Sequence, residues 1–223
     1  MHSLIIPQLI HFIENLLQLL TTHKQIKQAF HMSWNYYDIN AKNYFDNTFN
    51  VDMSEFYTPF CAALSPGARI LDAGCGSGRD AAAFQAKGYE VDAFDASEEM
   101  VALAKERSGI DAVQSTFSDF QSSNSYMGIW SCASLLHLPY DELTSVIGKF
   151  SEMLEIEGIW YLSFKYGDSE RDEHGRHFTD INEERLERLF EPMKSIVIEK
   201  VWITDDVRPE RNERWLNALM RKV

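Results

Sequence analysis

The sequence predicts an α/β fold in which a doubly wound sheet carries helices on both faces. Apolar segments that suit buried strands alternate along the chain with segments whose apolar residues recur at helical period. The first unit is the most informative. A strand at 70–73 leads through the glycine-rich turn 74–78 into a helix that begins at Arg79, and a second strand follows at 90–95. This order of elements is typical of a half-fold that binds a nucleoside.

Turn residues and apolar periodicity place the other elements. Residues 65–67 (Ser-Pro-Gly) form a turn before the first strand, Gly88 ends the helix after the glycine turn, and Ser97 caps the next helix. Further helices are expected at 36–45, 53–57, 98–107, 140–154 and 183–190. Further strands are expected at 112–117, 128–133, 159–164, 195–203 and 214–220. The charged segment that follows the strand at 159–164 is expected to be a loop.

Composition limits the class of protein. The chain has 223 residues, of which 45% are hydrophobic and 13% aromatic, enough for one substantial core. Its net charge is −13. Because so acidic a protein gains little counterion release on a phosphate backbone, nucleic acid is not an expected partner. The three cysteines form no Cys-x-x-Cys pair, which favours a reducing, cytoplasmic location and argues against a disulfide framework or a metal site.

The N-terminal segment 4–20 is apolar enough to suggest a signal or an anchor. It contains Glu14 and Asn15, has no basic lead and no small-residue cleavage site, and is broken too often to span a bilayer. An amphipathic helix is the better interpretation, and no membrane partner is expected. The expected organisation is an N-terminal helical extension at 1–33 followed by one domain at 34–223.

The glycine turn and the acids around it indicate the kind of nucleoside. Arg79 occupies the position where a dinucleotide site has its third glycine. Asp72 precedes the turn, where it would repel a phosphate and attract a sulfonium or ammonium group. Asp95 follows Gly76 by 19 residues, close to the roughly 20-residue spacing of a carboxylate that binds ribose hydroxyls. A nucleoside with a cationic tail is favoured, and an NAD(P) site stays a less favoured alternative.

From about Trp34 onward the chain resembles the class I S-adenosylmethionine-dependent methyltransferases, including small bacterial members of the tellurite-resistance type. The resemblance is carried by residues 71–80 (Leu-Asp-Ala-Gly-Cys-Gly-Ser-Gly-Arg-Asp), 93–97 (Ala-Phe-Asp-Ala-Ser) and 133–137 (Ala-Ser-Leu-Leu-His). It implies a Rossmann-like sheet of seven strands, mostly parallel, with an antiparallel C-terminal strand. It also implies S-adenosylmethionine as cofactor, S-adenosylhomocysteine as product, and direct transfer of the methyl group.

The residues expected to bind this cofactor lie at the ends of the first strands and in the N-terminal helix. The turn would hold the amino-acid end of the cofactor, and Asp95 would hold the ribose. The resemblance assigns the adenine amino group to Asp119. Phe120 or Phe117 would pack against the adenine ring, with core packing an open alternative for either of them, as it is for Tyr37. The complete expected set is Tyr37, Asp72, Gly74, Cys75, Gly76, Arg79, Asp95, Ala96, Met100, Asp119, Phe120 and Ser134.

The reaction centre is expected after the fourth and fifth strands, because doubly wound folds bind ligands at the carboxyl ends of their strands. His137 is a candidate general base, with stabilisation of its loop as the equal alternative, and Tyr166 is a second catalytic candidate. Lys165, Arg176 and Arg208 are candidates for binding a small, anionic methyl acceptor, with a solvated, charged loop as the equal alternative.

Two other functions stay open at this point. One is methylation of a metalloid or a thiol, and the other is a non-catalytic binding module that keeps the cofactor fold. The protein is expected to be a monomer or a homodimer.

Overall fold

The computed structural model describes residues 33–208 and 210–223. The amphipathic helix expected at 4–20, and with it nearly all of the extension at 1–33, lies outside the described residues. The helices are α1 (33–48), α2 (Ser54–Ala62), α3 (Arg79–Ala86), α4 (Glu98–Leu103), α5 (Tyr140–Met153) and α6 (Glu183–Phe190). None of the described helices is long and apolar enough to cross a membrane.

Within the described residues, nine strands form two sheets. They are β1 (Arg69–Ala73), β2 (Glu90–Asp95), β3 (Val113–Gln114), β4 (Tyr126–Ser131), β5 (Leu154–Lys165), β6 (Glu170–Glu173), β7 (Arg176–Thr179), β8 (Ile196–Asp205) and β9 (Arg214–Lys222). The main sheet has seven strands in the order β3-β2-β1-β4-β5-β9-β8. Strands β1 to β5 pair in parallel, and β9 is antiparallel to both of its neighbours. The predicted doubly wound sheet with an antiparallel C-terminal strand is therefore confirmed.

The central strands are apolar on both faces, as buried parallel strands must be. Neighbouring residues of a strand point to opposite faces, and Ile70 and Leu71 pack in different hydrophobic clusters. Trp130 and Ile129 of β4 divide in the same way. The cluster of Leu71 and Ile129 includes residues of α5 and α6, and the cluster of Ile70 and Trp130 includes residues of α2 and α3. The sheet thus lies between two layers of helices, which leaves the carboxyl ends of its strands open for a site.

Three elements differ from the sequence prediction. Strand β3 has only two residues, Val113 and Gln114, where a strand at 112–117 was expected. Both residues are exposed, so little apolar burial is available to stabilise a longer strand here. The helix expected at 98–107 ends as α4 at Leu103 and continues as a wider π-helical turn at 104–108.

The prediction of a loop after β5 is wrong for the central part of this segment, which forms two strands. Strands β6 and β7 pair antiparallel as a separate two-stranded sheet. The residues between them, His174 and Gly175, have φ angles of 51° and 76°. Positive φ at both central positions is typical of the tight turns that join such strands. Charged residues occupy all of β6, so the alternation of apolar and polar residues that reveals a strand is absent from it.

Candidate active site

The glycine turn ends β1 with a backbone that admits no side chain at its first residue. Gly74 has a φ of 78°, and a Cβ built on it would lie 2.5 Å from the Cβ of Ser134. The backbone N–H groups of Gly74 and Cys75 both donate to the carbonyl of Phe94, at 3.0 and 2.9 Å. The hydroxyl of Ser134 donates to the carbonyl of Ala73 at 2.7 Å. These contacts draw the ends of β1, β2 and β4 together around one cleft.

Asp95 closes one side of this cleft at the end of β2. Its Oδ2 accepts from the backbone N–H of Gly76 at 2.8 Å, and its Oδ1 accepts from that of Ser97 at 3.0 Å. Burial raises the pKa of the Asp95 carboxyl above its usual value, and the two amides act in the opposite direction. Because each carboxylate oxygen can accept more than one hydrogen bond, Asp95 can still receive two hydroxyl groups.

The cleft opens into a first cavity with about 920 Å³ of space, including solvent at its mouth. Most of the expected cofactor residues line it. They are Tyr37, Gly74, Cys75, Gly76, Arg79, Asp95, Ala96, Met100 and Ser134, and His137 joins them.

Asp72, Asp119 and Phe120 lie outside this lining. Asp72 is buried behind the turn, and its Oδ2 has no hydrogen-bond partner among the described residues. Burial and the nearby Asp80 raise the pKa of the Asp72 carboxyl well above its usual range. Asp119 is exposed and accepts from the hydroxyl of Thr116.

Phe120 belongs to the core instead of the cleft. Its ring stacks on Phe94 with the ring centroids 4.2 Å apart. Phe117, the alternative that the sequence offered for packing the adenine, does line the first cavity. Stacking on Phe94 therefore keeps the ring of Phe120 in the core, and Phe117 is the phenylalanine that reaches the cavity.

Arg79 is fixed by Asp80, a residue that the sequence analysis assigned no role. The Arg79 Nε and Nη2 groups donate to the Asp80 carboxylate at 2.6 and 3.0 Å. Tyr57 and Trp130 also donate to that carboxylate, at 2.6 and 2.8 Å. Burial opposes the charge, but the Arg79 guanidinium and these hydrogen bonds hold the pKa of Asp80 below its usual value. Only the Arg-Asp dipeptide was visible in the sequence, and it gives no sign of Tyr57 or Trp130.

His137 and Tyr37 form a hydrogen-bonded pair over the cleft. The Tyr37 hydroxyl lies 2.8 Å from Nε2 of His137, and Nδ1 of His137 lies 2.7 Å from the carbonyl oxygen of His177. Since a carbonyl can only accept, Nδ1 carries the proton and Nε2 accepts from Tyr37. Burial, with Arg176 and other nearby cations, lowers the pKa of His137 to about 3. The imidazole is therefore neutral at physiological pH, and its one lone pair is already in use.

Helix α1 covers the first cavity and was only partly foreseen. Besides Tyr37, its residues Tyr44 and Thr48 line the cavity. The Ser97 hydroxyl donates to Asp38 at 2.6 Å, and the Arg79 Nη1 donates to the carbonyl of Thr48 at 3.2 Å. Aromatic residues at helical spacing suggested the helix, but these polar contacts carry no local signal in the sequence.

A second cavity adjoins the first and holds about 930 Å³ of space. All three expected acceptor-binding residues, Lys165, Arg176 and Arg208, line it. Tyr166 does not. Its hydroxyl instead donates to Glu183 on α6 at 3.1 Å. The residues that line both cavities are Tyr37, Tyr44, Thr48, Arg79, Cys132, Ala133 and His137. These residues form the junction where groups bound in the two cavities would meet.

Cys132 is the one thiol at this junction among the described residues. Burial, reinforced by the Asp80 charge, raises the pKa of the Cys132 thiol to about 12. The thiol is therefore neutral at physiological pH and is a poor nucleophile. Burial and the nearby Asp72 also raise the pKa of the Cys75 thiol above its usual value. Neither thiol is therefore suited to act as a nucleophile at neutral pH.

Comparison with known proteins gives a consistent result. Residues 70–158 match the family model described as a methyltransferase domain. No curated protein sequence matches the chain.

Solved structures share the fold at low sequence identity. The 1,6-didemethyltoxoflavin-N1-methyltransferase of Burkholderia thailandensis, with bound 1,6-didemethyltoxoflavin and S-adenosylhomocysteine, is 22% identical, with a TM-score of 0.69 over 85% of this chain and 84% of that one. A TehB-like S-adenosylmethionine-dependent methyltransferase of Corynebacterium glutamicum is 20% identical, with a TM-score of 0.66 over 83% and 99%. The magnesium protoporphyrin IX methyltransferase of Synechocystis, with bound S-adenosylmethionine, is 19% identical, with a TM-score of 0.58 over 74% and 76%. Residues 70–158 therefore match a methyltransferase domain, and the chain shares the fold of the solved methyltransferases, as the resemblance predicted.

Proposed function

We propose that this protein transfers the methyl group of S-adenosylmethionine to a small, anionic molecule, with the cofactor in the first cavity and the acceptor in the second. The observation that carries the proposal is the placement of Asp95, whose two oxygens accept from the amides of Gly76 and Ser97 at the open edge of the cleft. A carboxylate held in this way is oriented to accept from both hydroxyls of a ribose.

The residues of the first cavity suit this cofactor. The backbone at Gly74 leaves no room for a Cβ beside Ser134, which is expected where a ligand must approach the main chain. Asp95 places a carboxylate at the cleft, and a carboxylate there favours a sulfonium over a diphosphate. Ala96 and Met100 offer an apolar surface for the adenine, and the backbone from Gly74 to Gly76 offers polar groups for the amino-acid end.

When bound, the cofactor supplies a methyl group on a good leaving group. The chain must then align the acceptor behind the methyl carbon and exclude water. Tyr37 and Tyr44 belong to the helix that covers the junction, so they exclude solvent from it. Lys165, Arg176 and Arg208 hold the anionic acceptor. His137 acts as a positioning residue for Tyr37, since its Nε2 accepts a hydrogen bond from the Tyr37 hydroxyl.

Asp119, Phe120 and Tyr166 lie outside both cavities and receive no role in this proposal. A small-molecule acceptor is supported by the solved structure from Burkholderia thailandensis, which holds one beside S-adenosylhomocysteine. The tellurite-type alternative has a neighbour of that name, but the apolar side chains that line part of the second cavity favour a carbon skeleton over a metalloid oxyanion. The three cysteines are free thiols, which supports a reducing, cytoplasmic location, and we propose a monomer or a homodimer.

Titration calorimetry with S-adenosylmethionine and S-adenosylhomocysteine tests the proposal. We expect both to bind, and we expect Asp95→Ala to weaken binding by at least about tenfold, because two hydrogen bonds to a charged acceptor are lost. Asp111→Ala is the matched control, since that carboxylate is exposed and pairs with Lys105 away from the cleft. Preferential binding of NADH, or equal affinity in the Asp95→Ala variant, would contradict the proposed site. Binding without any methyl transfer to a broad panel of acids, alcohols, amines and thiols would favour the non-catalytic module.

A further inference from the structure

Arg176 differs from the other cations of the second cavity. Arg208 makes two hydrogen bonds to the Asp206 carboxylate, at 2.8 and 2.6 Å. Lys165 lies 3.5 Å from Glu213. Within the described residues Arg176 has no carboxylate partner, and its Nε is buried without a hydrogen bond. A buried donor left unpaired is costly, so a ligand anion at this position would relieve the cost.

The guanidinium of Arg176 is held in place by aromatic rings. It lies 4.3 Å from the ring centroid of Tyr36 and 4.9 Å from that of Phe178. Arginine stacked in this way keeps its planar fork free for a carboxylate, which it can bind through two parallel hydrogen bonds. Strand β7 of the hairpin carries both Arg176 and Phe178. The same short element therefore supplies the cation and one of the two rings that hold it in place.

The position of this cation within the site is informative. Arg176 interacts with the hydroxyl of Tyr37, and Tyr37 lines both cavities. An anion bound by Arg176 would therefore lie beside the junction, next to the place where the methyl group arrives. It would not lie at the distant end of the acceptor.

Neither His137 nor Tyr37 is a ready proton acceptor at that place. The Nε2 of His137 is occupied by the Tyr37 hydroxyl, and its pKa is far below neutrality. Burial and the neighbouring Tyr44 raise the pKa of Tyr37, with Arg176 opposing them only in part. An acceptor that must lose a proton during the reaction is poorly served by these groups. An acceptor that arrives already deprotonated has no such need.

Part of the remaining wall is apolar. Val51, Met53, Phe56, Leu136, Phe178 and Trp215 line the second cavity, beside polar residues that include Asp205, Asp206 and Glu213. The apolar side chains offer a surface on which a ring can pack.

We propose, building on the function proposed above, that the acceptor is an aromatic carboxylic acid whose carboxylate, bound by Arg176, is itself the methylated group. One carboxylate oxygen forms a bond to the methyl carbon while the carbon–sulfur bond breaks, and the electron pair of that bond stays on sulfur. The products are a methyl ester and a neutral thioether. The charges of the sulfonium and the carboxylate cancel, and no proton is released.

The test uses three carboxylates as probes, benzoate, cinnamate and 2-naphthoate, each paired with its neutral amide. Binding is measured by calorimetry on the protein saturated with S-adenosylhomocysteine. At least one carboxylate is expected to bind about tenfold or more tightly than its amide. Arg176→Gln is expected to abolish this preference, and Arg176→Lys to retain part of it, because a charge without the planar fork binds a carboxylate less well. Arg188→Gln, which removes an exposed arginine paired with Glu184 on α6, is the control.

Turnover with S-adenosylmethionine gives a second readout. The labelled methyl group of the product should be released as methanol by mild alkali, as esters allow and ethers or N-methyl groups do not. If S-adenosylhomocysteine binds but no carboxylate is preferred over its amide, the inference is wrong while the proposed function stands. The same holds if 2-naphthol is methylated and 2-naphthoate is not. Failure to bind S-adenosylhomocysteine would overturn both. Thermal melting and circular dichroism confirm that the Arg176 variants are folded.

Discussion

The hydroxyl of Tyr37 donates a hydrogen bond of 2.8 Å to Nε2 of His137, a residue 100 positions further along the chain. This contact joins helix α1 to the segment that follows β4, and so it closes one covering element over the first cavity. A second contact, from the Ser97 hydroxyl to Asp38, joins the same helix to the start of α4. Hydrogen bonds from Arg79 to the carbonyl of Thr48 and from the amide of His177 to the Ser33 hydroxyl also hold this helix over the cleft.

Tyr37→Phe should weaken the closure of this cover. The substitution keeps the ring and removes one hydrogen bond, which is worth about 1 kcal/mol. We expect the Kd for S-adenosylhomocysteine to rise by about fivefold in calorimetry. Tyr89→Phe is the control, because the Tyr89 hydroxyl contacts the carbonyl of Cys61 outside both cavities. Unchanged affinity in Tyr37→Phe would mean that the contact does not help to close the cleft.

His137 should make the fold less stable in acid. Its pKa is lowered by burial to about 3 in the folded protein, against about 6.5 in the unfolded chain. Between these values the unfolded chain binds a proton that the folded protein does not. The free energy of unfolding therefore falls as the pH drops through this window, by up to about 1.4 kcal/mol per pH unit from this group.

Urea titrations at pH 4.5, 5.5 and 7 measure this effect. His137→Asn can still donate to the carbonyl of His177 but does not titrate, so its stability should depend less steeply on pH than that of the wild type. The comparison of slopes cancels the contributions of buried carboxyl groups such as Asp72 and Asp95. Parallel slopes would show that His137 is protonated alike in the folded and unfolded states.

Gly74→Ala should damage both the fold and the site. The new Cβ would lie 2.5 Å from the Cβ of Ser134, in a backbone with a φ of 78°. We expect a loss of more than about 2 kcal/mol of stability, together with loss of cofactor binding. Gly88→Ala separates the two causes, because Gly88 has a φ of 87° but no atom within 4 Å of its Cβ position. Equal destabilisation of the two variants would indicate that backbone strain alone accounts for the effect.

Asp80→Asn should destabilise the protein because it leaves the partly buried Arg79 charge without its carboxylate. Removing one partner of a buried ion pair typically costs about 3–5 kcal/mol. The urea midpoint of this variant should fall clearly, and its affinity for S-adenosylhomocysteine should fall too, since Arg79 lines both cavities. Glu184→Gln, which breaks an exposed pair with Arg188, should leave the midpoint unchanged. A midpoint equal to the wild type in Asp80→Asn would contradict this account of the network.

Cys132 should resist alkylation while the protein is folded. Burial and the Asp80 charge raise the pKa of its thiol to about 12, so the reactive thiolate is scarce at pH 8. Iodoacetamide should label it only after unfolding in urea, as peptide mass spectrometry would show. Labelling at the same rate with and without urea would mean that the thiol is open to solvent.

The sequence predicted the main sheet well because its signals are local. Alternation of apolar strands with amphipathic helices gave the doubly wound order, and the glycine turn with Asp95 gave the location of the cleft. Both depend on residues within about 25 positions of each other. Nine of the twelve expected cofactor residues line the first cavity, and Asp72, Asp119 and Phe120 do not.

The contacts that the sequence could not give join distant segments. Tyr37 with His137, and Asp80 with Tyr57 and Trp130, become neighbours only when the sheet and its covering helices assemble. Phe120 illustrates the same limit, since only packing decides that its ring stacks on Phe94 while Phe117 reaches the cavity. The β6–β7 hairpin was not predicted because all four residues of β6 are charged, so its sequence lacks the alternation of apolar and polar residues that indicates a strand.

This hairpin also has a consequence for the descent of related enzymes. Residues 170–179 pair with each other in a sheet of their own, while the glycine turn and Asp95 belong to the main sheet. Side-chain changes in this hairpin that keep the backbone contacts of His177 to His137 and Ser33 can therefore remodel the pocket for one reactant and leave the binding of the nucleoside intact. Lineages that share this scaffold could diversify in chemistry by exchanging a single ribbon.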